Sequence, residues 1–409
     1  MLLIKVCDAQ MGLGKTTAVM KYMNAHPDER YIYITPFLSE AERVKNGCPE
    51  LKFREPSNKI PEFNYSKVTH TKSLIEEGRN IVSTHQALKF YTGNTLELIK
   101  ERNYTLIIDE SMEMMESFND LKFSEDDLTV LEKGGYIRND GDRYSLLDDN
   151  YQEGSLKSMF RYFESRELLN LSDSRDTHYW AVSTEILTSF KDVFILTYLF
   201  EHQNLHHLLL IYNIPFEYIG VRQVDCLDYE LCPKEESINY IPGIGNHIHI
   251  LDNYKMNKIG KGKFALSRSW FDKESSDIKQ LKNNMHNYFG NIYGKVKSEF
   301  KMWGCYKKDK TKLKGKGYSS GYLNFNARAT NDYRHKYILA YPVNIFMNVG
   351  EKQFYKTHGI EINEDKYALA IMLQWIWRSA IRDGRDIYLY LPSERMRDIL
   401  GEWIESTKN

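Results

Sequence analysis

A chain of 409 residues suggests about two domains, and its net charge of −1 excludes a whole-molecule attraction for polyanions, so any nucleic-acid surface has to be local. Hydrophobic residues at 42% and charged residues at 27% describe a soluble protein with buried cores. Cys7, Cys48, Cys226, Cys232 and Cys305 form no C-x-x-C pair, which argues against a disulfide framework and for a cytoplasmic protein. No signal segment and no apolar run of about 18 residues is present, so no membrane partner is expected.

The chain opens on a short apolar strand, Leu2 to Cys7, followed by A-Q-M-G-L-G-K-T-T over residues 9–17 and a helical start at Ala18. Strand, glycine loop, G-K-T and helix make a phosphate-binding loop. Gly12 and Gly14 let the backbone N–H groups turn toward an anion, and the helix N-terminus adds partial positive charge. Gln10, Met11, Gly12, Leu13, Gly14, Lys15, Thr16 and Thr17 are the expected nucleotide contacts. Lys15 reaches the β- and γ-phosphates, and the Thr16 hydroxyl ligates Mg²⁺. The bound species is a nucleoside triphosphate. Ala9 stands where the general pattern has its first glycine, and A-x-x-G-x-G-K-T resembles motif I of superfamily 2 helicases and translocases.

A second strand, Tyr31 to Thr35, stops at Pro36, and the string T-P-F-L-S-E-A-E-R resembles motif Ia of that superfamily, which contacts the nucleic-acid backbone. A third strand from Asn80 ends in Thr84-His85, similar to a later nucleic-acid-contacting motif. Pro36, Thr84 and His85 are the contacts the resemblance implies. The apolar run Tyr104 to Ile108 then delivers Asp109-Glu110, a Walker B arrangement. Asp109 is expected to hold Mg²⁺ and Glu110 to polarise the attacking water.

Residues 113–153 carry 12 acids against four bases, and a helical pattern resumes at Ser155. Residues 112–190 therefore read as a mostly helical, acidic insertion. The sheet returns at Asp192 to Tyr198, whose L-T-Y stands in the place of motif III. A second domain is expected after residue 203, with a strand at His247 to Leu251 and an amphipathic helix over 274–290. Between Lys295 and Lys316 lie nine lysines against two acids, interleaved with Phe300, Trp303 and Tyr306. Lys307 and Lys308 are candidate phosphate contacts, and the aromatic rings candidate stacking platforms; a solvated loop is the alternative. Tyr322 to Asn331 reads as a strand in the place of motif V, with Thr330 at its polar end. Gln374, Arg378 and Arg382 are four apart and form one stripe of a helix, similar to motif VI, although Trp377 replaces its glycine. Which arginine acts on the γ-phosphate is open.

Together these motifs resemble a compact superfamily 2 DNA/RNA helicase, DEAD/DEAH-like, of the kind carried by phages and mobile elements. The resemblance implies an α/β fold of two tandem RecA-like P-loop NTPase domains, residues 1–203 and 204–409. It implies ATP with Mg²⁺ between the domains, single-stranded or forked DNA as partner, and other replication proteins as possible partners. Lys15, Asp109, Glu110, Gln374, Arg378 and Arg382 would carry hydrolysis. Two alternatives remain: a terminase-like packaging motor, and a nucleotide-dependent DNA-binding loader that does not unwind.

Overall fold

The computed structural model describes residues 3–36, 39–118, 124–141, 143–148, 150–151, 154, 156–169, 178–226, 228–273, 275–326 and 332–408. The chain packs as two units. One comprises Met1–Ala9, Gly14–Ser237 and Asn348–Ile362; the other comprises Gln10–Leu13, Ile238–Met347 and Asn363–Asn409.

The first unit is built on β1 (Ile4–Asp8), β2 (Arg30–Thr35), β3 (Ile81–Thr84) and β4 (Tyr104–Asp109). These strands are rich in β-branched and aromatic residues. Tyr31, Ile32, Tyr33 and Ile34 are all fully buried, the continuous burial of a parallel strand covered on both faces. An excursion then forms β5 (Met115–Phe118), β6 (Ile137–Asn139), β7 (Arg143–Leu146), β8 (Arg166–Leu169) and β9 (His178–Val182). The chain returns to the main sheet as β10 (Asp192–Thr197), β11 (Phe216–Asp225) and β12 (Asp228–Pro233). The seven strands lie in the order β12-β11-β1-β10-β4-β2-β3, all parallel except β12. This order separates β1 from β4 by one strand and brings the loops at their carboxyl ends to the same edge, where α/β sheets bind ligands.

Two expectations need correction. The boundary at 203/204 falls inside this unit, because β11 pairs in parallel with β1 at the register Ile4–Phe216. The helix Val349–Thr357 also belongs to it, Tyr355 Oη lying 3.0 Å from Met115 Sδ. Among its described residues the acidic insertion is not mostly helical. Its described residues form a five-stranded antiparallel sheet, β5-β9-β8-β7-β6, accompanied by the helices Glu125–Lys133 and Lys157–Phe163 and the single helical turn Glu185–Thr188. The first helix opens on a capping box between Ser124 and Asp127. The small core of the insertion gathers Leu128, Leu131, Ile137, Phe160, Phe163 and Leu168 around fully buried Trp180.

The second unit has a four-stranded, wholly parallel sheet of β13 (Ile248–Ile250), β14 (Lys301–Trp303), β15 (Ile338–Ala340) and β16 (Ile387–Tyr390), in the order β13-β16-β15-β14. Its helices include Ser276–Asn287 and Glu364–Ile376. Among the described residues no strand runs from Tyr322, which makes an isolated parallel bridge to Trp303. Thr330 lies outside the described residues. Among the described residues, no helix is long and apolar enough to cross a membrane.

Candidate nucleotide-binding site

The phosphate loop leaves β1 and enters the helix Lys15–Ala25, with Gly12 at φ 90° and Gly14 at φ 75° as its N-cap. Gly14 is required twice over. Its backbone is left-handed, and a Cβ there would overlap the ring of Tyr229 on β12. Within the loop, Gln10 is fully buried, its N–H donating to the Asn239 carbonyl at 3.1 Å and its Oε1 accepting from Ile241 N–H at 2.6 Å. Leu13 is buried, Met11 half-buried and Gly12 exposed.

Lys15 Nζ donates to the Ala9 carbonyl. Burial pulls its pKa below the ordinary lysine value, opposed by the charges of Cys7, Asp8, Asp109 and Glu110. Thr16 Oγ1 donates to Asp109 Oδ2 at 3.1 Å, and Tyr33 Oη donates to the same oxygen at 2.8 Å. Burial, then the neighbouring Glu110 charge, push the Asp109 carboxyl above its usual range; the Tyr33 and Thr16 hydrogen bonds pull it back. Glu110 occupies the left-handed region at φ 62°, its N–H held by the Leu196 carbonyl at 2.8 Å. A bulky residue held there is an outlier of the sort found where geometry serves function. Thr16 and Asp109 are hard oxygen donors, the set that suits Mg²⁺ bound mainly through phosphate and water. Among the described residues, no group of three or more His, Cys, Asp or Glu forms a metal cluster.

Several supports lay outside the sequence reading. Tyr33 stands opposite Ile107 on the neighbouring strand, so strand alternation puts its ring on the face of Asp109 two residues on. Asp8 caps the turn after β10, accepting from Leu199 N–H at 2.8 Å and Phe200 N–H at 3.0 Å. Arg43 Nη2 donates to Thr17 Oγ1 at 3.3 Å. Farther along the D-E loop, the Asn204 amide donates to Glu113 Oε2 at 2.8 Å and to Glu351 Oε2 at 3.3 Å. Burial, reinforced by the Glu113 charge, pushes Glu351 up to about 8.

The expected nucleic-acid contacts fare differently. Pro36 is half-buried after β2. Thr84 Oγ1 is engaged as a helix cap, accepting from Ala87 N–H at 3.3 Å. His85 is buried, and its Nε2–H donates to the Asp109 carbonyl at 3.0 Å, which braces the D-E strand. Lys307 and Lys308 are exposed. Of the rings expected between the lysines, Trp303 is fully buried with Nε1 donating to the Tyr318 carbonyl at 2.9 Å and is no platform, whereas Phe300 and Tyr306 are half-buried, Tyr306 Oη donating to the Asn344 carbonyl at 3.0 Å.

The single-helix stripe of Gln374, Arg378 and Arg382 is also corrected. The helix ends at Ile376, after which hydrogen bonding tightens to the i−3 pattern. Ser379 adopts an extended conformation and its Oγ donates back to the Ile376 carbonyl at 2.6 Å. A hydroxyl bonding to nearby backbone in this way competes with helix continuation. Gln374 therefore sits on the helix, Arg378 is buried in the turn, and Arg382 is half-buried in the following 3₁₀ turn.

Two parallel-sheet α/β units in tandem, the first with a phosphate loop after one strand and a D-E pair after the next strand but one, define a tandem RecA-like P-loop fold. Residues 243–404 match the family model described as the YonV C-terminal Rossmann-like domain. The chain is 38% identical over 416 aligned positions to the SPbeta prophage-derived protein YonV of Bacillus subtilis (strain 168), covering 99% of each chain. It belongs to the YonV family. Two solved structures align with it over 98% of this chain and 94% of theirs: S. tokodaii Xpd4, at 13% identity and TM-score 0.46, and one described as XPD helicase, at 10% identity and TM-score 0.43.

Proposed function

We propose that this protein is an ATP-dependent nucleic-acid helicase or translocase that serves replication or recombination of a mobile element. The observation that carries the nucleotide reading is the direct pairing of Thr16 with Asp109 at 3.1 Å. The two oxygens that would hold Mg²⁺ are already together, beside the Lys15 ammonium. Mg²⁺, when bound, neutralises charge on the phosphates. The protein's own residues do the rest. Backbone N–H groups of the glycine loop cradle the phosphates, Lys15 neutralises the γ-phosphate, and Glu110 accepts a proton from the attacking water. Arg378 or Arg382 adds charge stabilisation to the transition state, an effect of ~10³-fold or more in related machines.

The nucleic-acid half of the proposal draws on the motif resemblance and on descent shared with a prophage-derived protein. Strand-displacement assays on forked DNA and RNA, run beside a Mg²⁺/Mn²⁺ nuclease assay, test it. Displacement that depends on ATP supports the helicase reading. Cleavage without displacement supports the terminase-like motor, and stimulated hydrolysis with neither supports the loader.

A further inference from the structure

The densest lysine run of the second unit spans 295–316, yet a different part of that unit has the construction of a strand-binding site. After β13 the chain forms a short helix, Tyr254–Asn257, a 3₁₀ turn, Lys258–Gly260, and a loop that leads past Phe264 to Trp270. Beside the helix Ser276–Asn287 these segments border a cavity of about 700 Å³ that is open to solvent. Lys255, Lys258, Lys261, Lys263 and Lys273 line it, with Asp277 as the one acid among the described lining residues. All five lysines are exposed. Among the described residues none of the five has an acidic partner within 4.0 Å; residue 274, a glutamate, lies outside them.

The loop is rigidly supported. Fully buried Asn344 donates from Nδ2 to the Lys263 carbonyl at 2.9 Å and the Ala265 carbonyl at 3.0 Å, and its N–H donates to the Leu266 carbonyl at 2.9 Å. Arg395 in turn donates to Asn344 Oδ1 at 2.9 Å. On this support Phe264 stands 60% exposed, its ring 5.5 Å from Phe346 and the Lys263 ammonium 5.5 Å from its own centroid. A large apolar ring held out to water by a buried hydrogen-bond frame is an unusual expense for a core. Beside exposed cations it has the two components that single strands need, a stacking face for a base and charges for the phosphates.

We propose that this cavity binds one stretch of single-stranded nucleic acid, with a base stacked on Phe264 and phosphodiesters on Lys258, Lys261 and Lys263. The proposal rests on the nucleic-acid reading above and adds the place of contact. It differs from the Lys307–Lys308 surface, where the ring adjacent in sequence, Tyr306, is half-buried with its hydroxyl bonded to the Asn344 carbonyl.

The test is fluorescence anisotropy of labelled oligothymidylate with the full chain, titrated at several salt concentrations. Lys258→Ala/Lys261→Ala/Lys263→Ala should weaken binding about tenfold or more and reduce the salt slope by roughly two, from three lost phosphate contacts at about 0.7 each. Phe264→Ala should weaken it about fivefold or more at an unchanged slope, because stacking releases no counterions. Both changes are at exposed side chains, so an unchanged melting temperature is expected and checked. Wild-type binding with both variants indistinguishable from it overturns the cavity and leaves the helicase reading standing. A wild type that binds no oligonucleotide of either sugar and shows no stimulated hydrolysis overturns both. Lys307→Ala/Lys308→Ala weakening binding as much as the triple variant, with Phe264→Ala neutral, reduces the site to surface charge and overturns it. Equal affinity for polyglutamate, or displacement of the strand from Lys15→Ala protein by ATP, overturns strand recognition in favour of a general polyanion or mononucleotide site.

Discussion

Replacing Gly14 by alanine separates two demands that the phosphate loop makes on one residue. The φ of 75° is left-handed, which costs an L-residue about 1–2 kcal/mol. The added methyl would also overlap the Tyr229 ring, and forced overpacking of this kind costs about 1–3 kcal/mol. Gly14→Ala should therefore destabilise the first unit by about 2–5 kcal/mol in total if the ring cannot move. Tyr229→Ala in the same chain should recover the steric part and leave the backbone part. The assay is a double-mutant cycle by denaturant unfolding, paired with fluorescent-nucleotide binding at the same sites. Recovery of stability with nucleotide binding still impaired would show that the left-handed turn itself serves the phosphates. A neutral Gly14→Ala, or a double variant no more stable than the single one, refutes the reasoning.

Tyr33→Phe removes one of two donors to Asp109 and should cost about 1.5–3 kcal/mol, measured by unfolding at neutral pH. Because that hydrogen bond lowers the Asp109 pKa, its loss should also move the acidic limb of the ATPase pH profile to higher pH. Arg382→Ala should keep its melting temperature, whereas Arg378→Ala should lose stability because Arg378 is buried; at least one should lose ~10²-fold in stimulated kcat with near-normal ATP affinity. Glu351 has a folded-state pKa raised to about 8 from 4.5, so the folded state holds its proton where the unfolded chain has released it. Its contribution to stability is complete below about 4.5 and is lost as pH rises toward about 8. Glu351→Gln should match wild type in melting temperature at the acidic end of that window and exceed it at the alkaline end.

The candidate nucleotide site was legible because its chemistry is local. Strand, glycines, G-K-T and helix are contiguous, and the D-E pair ends a strand of evident β-propensity. What the sequence hid depends on pairings far apart in the chain. β11 lies beside β1 across more than two hundred residues, so the first unit runs past 203 without any local sign. The insertion's strands, three to five residues long, are too short to show a period, and its acids masked them as solvated helix and loop. Composition also failed to tell inward from outward rings: Trp303 sits in the core while Phe264 stands exposed. Spacing alone gave the Gln374–Arg382 stripe, but a serine hydroxyl turned back on its own backbone ended the helix before it.

Steady-state ATP hydrolysis by the full chain, with and without single-stranded oligonucleotide, in wild type and Glu110→Gln, alongside nucleotide binding, is the most direct test of an ATP-driven motor. Wild type should hydrolyse ATP and be stimulated by the strand. Glu110→Gln should bind ATP with near-normal affinity and lose turnover by roughly 10²-fold or more, the usual contribution of a positioned general base. Hydrolysis at the wild-type rate in Glu110→Gln, or a wild type that binds and hydrolyses no nucleotide under any condition, would contradict it.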